Sequence, residues 1–158
     1  TDPALAERRK AFLGAPGQLD GTGAVAMRLA GELLALIDAA AAPLAAKHES
    51  EIVDLDARIK EHGERGSGKK QLEDRHKREL RRHRTDELRS GLATLASVYR
   101  DQALASTTPG SRGFDIAGCA DAVAQVHRAL EAMDRNPNER LLLESLLWSL
   151  PVTNGAAA

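Results

Sequence analysis

Two helical arms of opposite charge flank a glycine-rich stretch, and no other feature constrains the fold as much. Residues 47–62 read KHESEIVDLDARIKEH and keep a thin apolar seam of Ile52, Leu55 and Ile59, at steps of three and four. That spacing is the seam of a coiled coil, not the broad face of a core helix. Residues 69–84, KKQLEDRHKRELRRHR, place Leu72, His76, Leu80 and His83 on one side. GERGSG, 63–68, lies between them, and so short a turn between helices predicts an antiparallel helical hairpin. The first arm has three basic and five acidic residues, a net of −2; the second has eight and three, a net of +5. Ion pairs across the hairpin suit that pattern. Each exposed pair is worth roughly 0–1 kcal/mol, so they select the pairing more than they stabilise it.

The turn also imitates a nucleotide site. Gly63-Glu64-Arg65-Gly66-Ser67-Gly68-Lys69-Lys70 has the G-x-x-x-x-G-K spacing of a phosphate-binding loop. Such a loop needs a buried strand before it and a hydroxyl on the metal at its end. Here a charged helical arm, DLDARIKEH, precedes it and Lys70 occupies the hydroxyl position. No apolar strand ending in Asp follows. The stretch reads as a hinge whose three glycines let the chain reverse.

The rest of the chain is helical in pattern. Only 3% of residues are aromatic, so Leu, Ala, Val and Ile must build the core, and Ala and Leu favour helix. Residues 3–13 predict a short helix with Asp2 as cap, and 14–23, GAPGQLDGTG, a connection. From Ala24, Leu29, Leu33, Ile37 and Leu44 recur at helical steps, with Leu36 widening the stripe and Pro43 kinking or dividing it. Past the second arm, Leu88, Leu92, Leu95 and Tyr99 form a face broad enough for a globular core. Residues 106–113 are a loop. Ile116, Cys119, Val123, Val126, Leu130 and Met133 then follow at steps of three and four. The final helix is signalled by Asn136 as cap, Pro137 in its first turn and Glu139 as in a capping box. It is apolar almost all round, Pro151 ends it, and the tail 152–158 is expected to be disordered. The fold class is all-α: a bundle of about five helices, 24–151, with the hairpin 47–84 projecting from it.

Chemistry-bearing residues are few. With one cysteine, Cys119, the chain has no internal disulfide and no Cys-based zinc site, and a reducing cytoplasmic setting is expected. Cys119 lies on an apolar face and reads as a small buried side chain. The histidines are His48, His62, His76, His83 and His127; His76 and His83 are seven apart, not at the adjacent-turn spacing of a helical zinc motif. They read as seam or surface residues. No nucleophile–base set or carboxylate pair stands out. No catalytic activity, cofactor, metal or small-molecule substrate is therefore expected, and no apolar run is long enough to span a bilayer. The net charge of −1 opposes general polyanion binding, but the run 75–84 is locally basic. Its helix would present Arg75, Arg78 and Arg82 on one side and Lys77, Arg81 and Arg84 on another. Without aromatics to stack bases, Arg78, Arg81 and Arg82 would give weak, sequence-independent nucleic-acid binding at best.

Two stretches carry a resemblance. ELRSGLATLASVYRDQAL, 87–104, followed by ALEAMDRNPNERLLLESLLWSLP, 129–151, resembles the C-terminal domain of bacterial DNA polymerase III clamp-loader subunits. It is most similar to the delta-prime type of high-GC Gram-positive bacteria. Residues 1–13 look like the segment leaving a preceding lid domain, and the charged hairpin like an insertion of those members. The chain begins at Thr1 rather than Met, which fits a piece of a longer protein. The resemblance implies a non-catalytic collar domain that packs against other clamp-loader subunits, of gamma/tau and delta type, in support of sliding-clamp loading. ATP and DNA handling would belong to an upstream AAA+ module. No family site residue carries over except helix faces that would meet neighbours. Leu141, Leu142, Leu143, Leu146, Leu147 and Trp148 are expected to divide between core and partner, Trp148 being of the type that anchors interfaces.

Overall fold

The computed structural model of the chain describes residues 3–63, 68–107 and 115–152. They form six α-helices: α1 Pro3–Gln18, α2 Gly23–Ala40, α3 Ala42–His62, α4 Lys69–Ala105, α5 Ile116–Ala132 and α6 Glu139–Ser149. A 3-10 turn, Met133–Arg135, joins the last two, and no strand occurs among the described residues. The all-α bundle expected from the sequence is thus what the chain forms.

The core follows the predicted stripes. Leu29, Leu33 and Ile37 of α2 and Leu88, Leu92, Leu95 and Tyr99 of α4 are buried together with Cys119, Val126 and Met133. Leu143, Leu146 and Leu147 close it from α6. α4 is the axis: it packs on α1, α2 and α5 in the body and on α3 in the hairpin. At 37 residues it is roughly 55 Å long, so it serves both the body and the hairpin. No described residue between Asp38 and Glu87 belongs to the core cluster.

Three local expectations need correction, and one open alternative is resolved. α1 does not stop at Leu13 but runs to Gln18, through Gly14 and Pro16. Ala15 and Pro16 are buried, so tertiary packing overrides the breaker signal. Of the two readings of Pro43, kink or division, the structure takes division: α2 and α3 are separate helices, broken at Ala41 and bent by 40°, and Pro43 sits in the first turn of α3, where its missing N–H costs nothing. Ile116 is exposed rather than part of the α5 core face. Finally, α6 is capped by Asn138, whose side chain accepts from the Leu141 N–H at 3.0 Å. Asn136 instead adopts φ 53°, a left-handed conformation Asn tolerates, and the following Pro137 disfavours helix at that position.

The hinge reading of 63–68 is supported from both sides. Helices, not a strand, flank it, and Gly63 and Gly68 take φ of 66° and 89°. Both values suit glycine in a chain reversal. Residues 64–67 lie outside the described residues, as do Asp2, most of the loop 106–113, and the tail from 153. No single helix among the described residues is long and apolar enough to cross a membrane. The bent pair α2–α3 reaches that length and composition only when joined across its break, and the apolar face of α2 is already in the core.

Candidate functional site

The hairpin is antiparallel in its contacts. Lys69 meets Asp56 at 3.0 Å, Arg75 meets Glu51 at 3.1 Å, and His48 meets Glu79 at 2.7 Å, so numbers rise on one arm as they fall on the other. These are the cross-arm pairs the charge pattern anticipates. The predicted seam residues Ile52, Leu55, Ile59, Leu72 and Leu80 are half-buried between the arms.

Two histidines lock the base of this seam. His48 and His76 are both buried, and their rings stack with centroids 3.9 Å apart and planes within 10°. Each reaches across to a carboxylate on the opposite arm: His48 Nε2 to Glu79 at 2.7 Å and His76 Nε2 to Glu51 at 2.8 Å. A carboxylate only accepts, so each Nε2–H donates. His76 was expected on the seam; the sequence leaves His48 open between seam and surface. Its signal lay in the series 48, 52, 55, 59, which extends the same stripe by one step of four. His83 is half-buried, and His62 is exposed near the turn. No cluster of three metal-ligating side chains occurs among the described residues.

The carboxylates feel this arrangement. The His76 hydrogen bond, aided by Arg75, holds Glu51 below its ordinary 4.5, and the His48 hydrogen bond holds Glu79 below the same value. A depressed folded-state pKa contributes stability above the unfolded value and loses it as pH falls through the folded one. The hairpin is therefore expected to loosen as the pH drops below about 4.5. Thermal midpoints by circular dichroism from pH 6 to 3 check this. The Glu51→Gln/Glu79→Gln double variant should show a flatter acid limb; a limb identical to the wild type would refute the assignment.

The basic run divides differently from the sequence expectation. Arg75 turns toward Glu51 and Glu79. Arg84 lies between Asp38 and Glu139, which raise its pKa, the Glu139 hydrogen bond most. Arg81 donates to the Asn136 side-chain oxygen at 3.1 Å. Lys77, Arg78, Arg81 and Arg84 then line one groove of about 540 Å³ at the α2–α3 break, with Ile37, Asp38, Ala41 and Leu80. Arg82, predicted to act with Arg78 and Arg81, lines no such groove; it is 86% exposed and lies 3.7 Å from Asp86.

A different surface lies on α6. Leu143, Leu146 and Leu147 are buried and Leu142 is half-buried against the core. Leu141 and Trp148, seven residues and two turns apart, are 62% and 63% exposed. A Cβ on Gly23 would lie 3.4 Å from the Trp148 ring, so the indole rests over the start of α2 with its outer surface open. Met27, one turn further along α2, is exposed as well. Cys119 is buried, and desolvation pushes its thiol up, with a further push from Asp115, as a structural cysteine requires. Set against known protein families, curated proteins and solved structures, the chain matches none of them.

Proposed function

We propose that the chain is a non-catalytic oligomerisation domain, the collar of a delta-prime-type clamp-loader subunit of DNA polymerase III. One observation carries the reading: the last helix gives three leucines to the core and turns Leu141 and Trp148 outward. A folded domain has no need to leave a tryptophan and a leucine open on one helical face, and such a face suits a partner helix. The all-α architecture around a long central helix is compatible with a domain that assembles side by side with related subunits. The partners implied are clamp-loader subunits of gamma/tau and delta type.

The test is retention of those subunits by the full chain in a pull-down, followed by affinity measurement. Leu141→Glu/Trp148→Glu is expected to weaken binding by about 30-fold or more, the effect of losing a hot spot worth about 2 kcal/mol. Its helical circular dichroism should stay unchanged, because both side chains are outside the core. A folded wild-type chain that retains no clamp-loader subunit would remove the proposal.

A further inference from the structure

The second arm carries more positive charge than its ion pairs use. Arg75 and Arg84 face carboxylates on both sides. Lys77 and Arg78 have no ion pair among the described residues, nor does Arg58 on the opposite arm, and Arg81 has only the neutral Asn136 amide. These four uncompensated cations are not scattered. Arg58, Gly68, Gln71, Arg75 and Arg78 line a groove of about 490 Å³ between the arms. The groove at the α2–α3 break begins with the same Arg78 and continues through Arg81 to Arg84. On α4, Arg78, Arg81 and Lys77 fall within an arc of about 100°, one stripe of the helix, with the carboxylate-bound Arg75 and Arg84 flanking it on either side. From Arg75 to Arg84 the run, flanking residues included, covers roughly 14 Å of helix.

We propose that this stripe binds the phosphate backbone of duplex nucleic acid without reading its sequence. Three features favour that occupant. Two grooves that share Arg78 in their linings suit a polymer better than a single small anion. Guanidinium groups dominate the stripe, and their planar fork matches phosphate oxygens in pairs. Residues 42–98 contain no Phe, Tyr or Trp, so bases have no such ring to stack on and the backbone is what the arm can hold. Among the described residues Asp38 is the one carboxylate lining either groove, and Arg84 already occupies it. The surface is separate from Leu141 and Trp148, so the inference does not depend on the collar reading.

Binding of the full chain to a labelled 20-base-pair duplex of random sequence, followed by fluorescence anisotropy across a salt series, tests the proposal. Four phosphate contacts predict a slope of roughly −3.6 in log K against log salt. Lys77→Gln and Arg78→Gln should each weaken binding and flatten the slope by about 1. Arg82→Gln removes the same charge from a residue that lines neither groove and should leave the slope unchanged. Equal losses from Arg82→Gln and Arg78→Gln would overturn the proposal, because the effect would then be net charge and not the stripe. So would absence of binding at about 20 mM salt by a chain with normal helicity, a concentration at which roughly four contacts still register. Polyglutamate competing as well as the unlabelled duplex would also overturn it, and would point to an acidic protein segment instead.

Discussion

Replacing Glu87 with alanine should destabilise the protein by about 3 kcal/mol, and the thermal midpoint should fall by about 6–12 °C. Arg8 of α1 is buried, with its side chain 7% exposed, and its Nε lies 2.6 Å from Glu87 of α4. Arg8 Nη1 is already buried with no hydrogen-bond partner among the described residues. Glu87 is thus the counter-charge holding this guanidinium inside the structure, and its removal leaves a cation in low dielectric. Replacing the whole pair is a different matter: Arg8→Met/Glu87→Leu removes both desolvation penalties and should restore most of the loss. Chemical denaturation of the two variants beside the wild type decides this. A single-variant loss below about 1 kcal/mol would mean that water reaches Arg8 and the pair acts as a surface bridge.

Phe12→Ala should cost about 3–5 kcal/mol, the usual penalty for emptying a buried aromatic site. Phe12 is 2% exposed and seats its ring on Gly91, where a Cβ would lie only 2.7 Å from Phe12 Cε1. Gly91→Ala gains about 1 kcal/mol of helix propensity, yet it should still be destabilising, because the new methyl falls well inside contact distance of the Phe12 ring and forces it off its seat. The two changes are expected to be strongly non-additive. In Phe12→Ala/Gly91→Ala the new methyl enters space the ring has left, so the double variant should be more stable than the sum of the singles by at least about 1 kcal/mol. Additive losses would show that α1 shifts bodily to accommodate the added methyl, and that the Phe12–Gly91 contact does not fix where α1 sits.

How far the structure was legible in the sequence depended on whether the information was local. The face Leu88, Leu92, Leu95 and Tyr99 was readable because helical periodicity needs no knowledge of the partner, and all four residues are core. Opposite charge on the two arms likewise announced their pairing. The end of α1 was not readable: Gly14, Pro16 and Gly17 are local breaker signals, and only burial of Ala15 and Pro16 against the body shows why they fail. The cap of α6 turned on two asparagines two residues apart, separated only by the φ of Asn136. The stacked histidines depend on register across the hairpin, which the glycine turn does not dictate. The same holds for the basic run, where helix geometry sorted the arginines into faces but could not say which faces α3, Asn136 and Glu139 would claim. On α6, the leucines and Trp148 were recognised together, and their division between inside and outside awaited the packing of α2.

The ion pair between Asp38 and Arg84 also has a topological meaning. One residue is the third from last of α2 and the other lies where α4 enters the body, so the chain leaves and returns at nearly the same point. Everything between is a detour with adjoining feet. Lengthening, trimming or exchanging it alters little of the path the body must follow, because closing so small a gap asks the remaining chain for only a short link. The charged hairpin is in this sense a cassette, free to diverge in length and chemistry while the bundle beneath it stays the same.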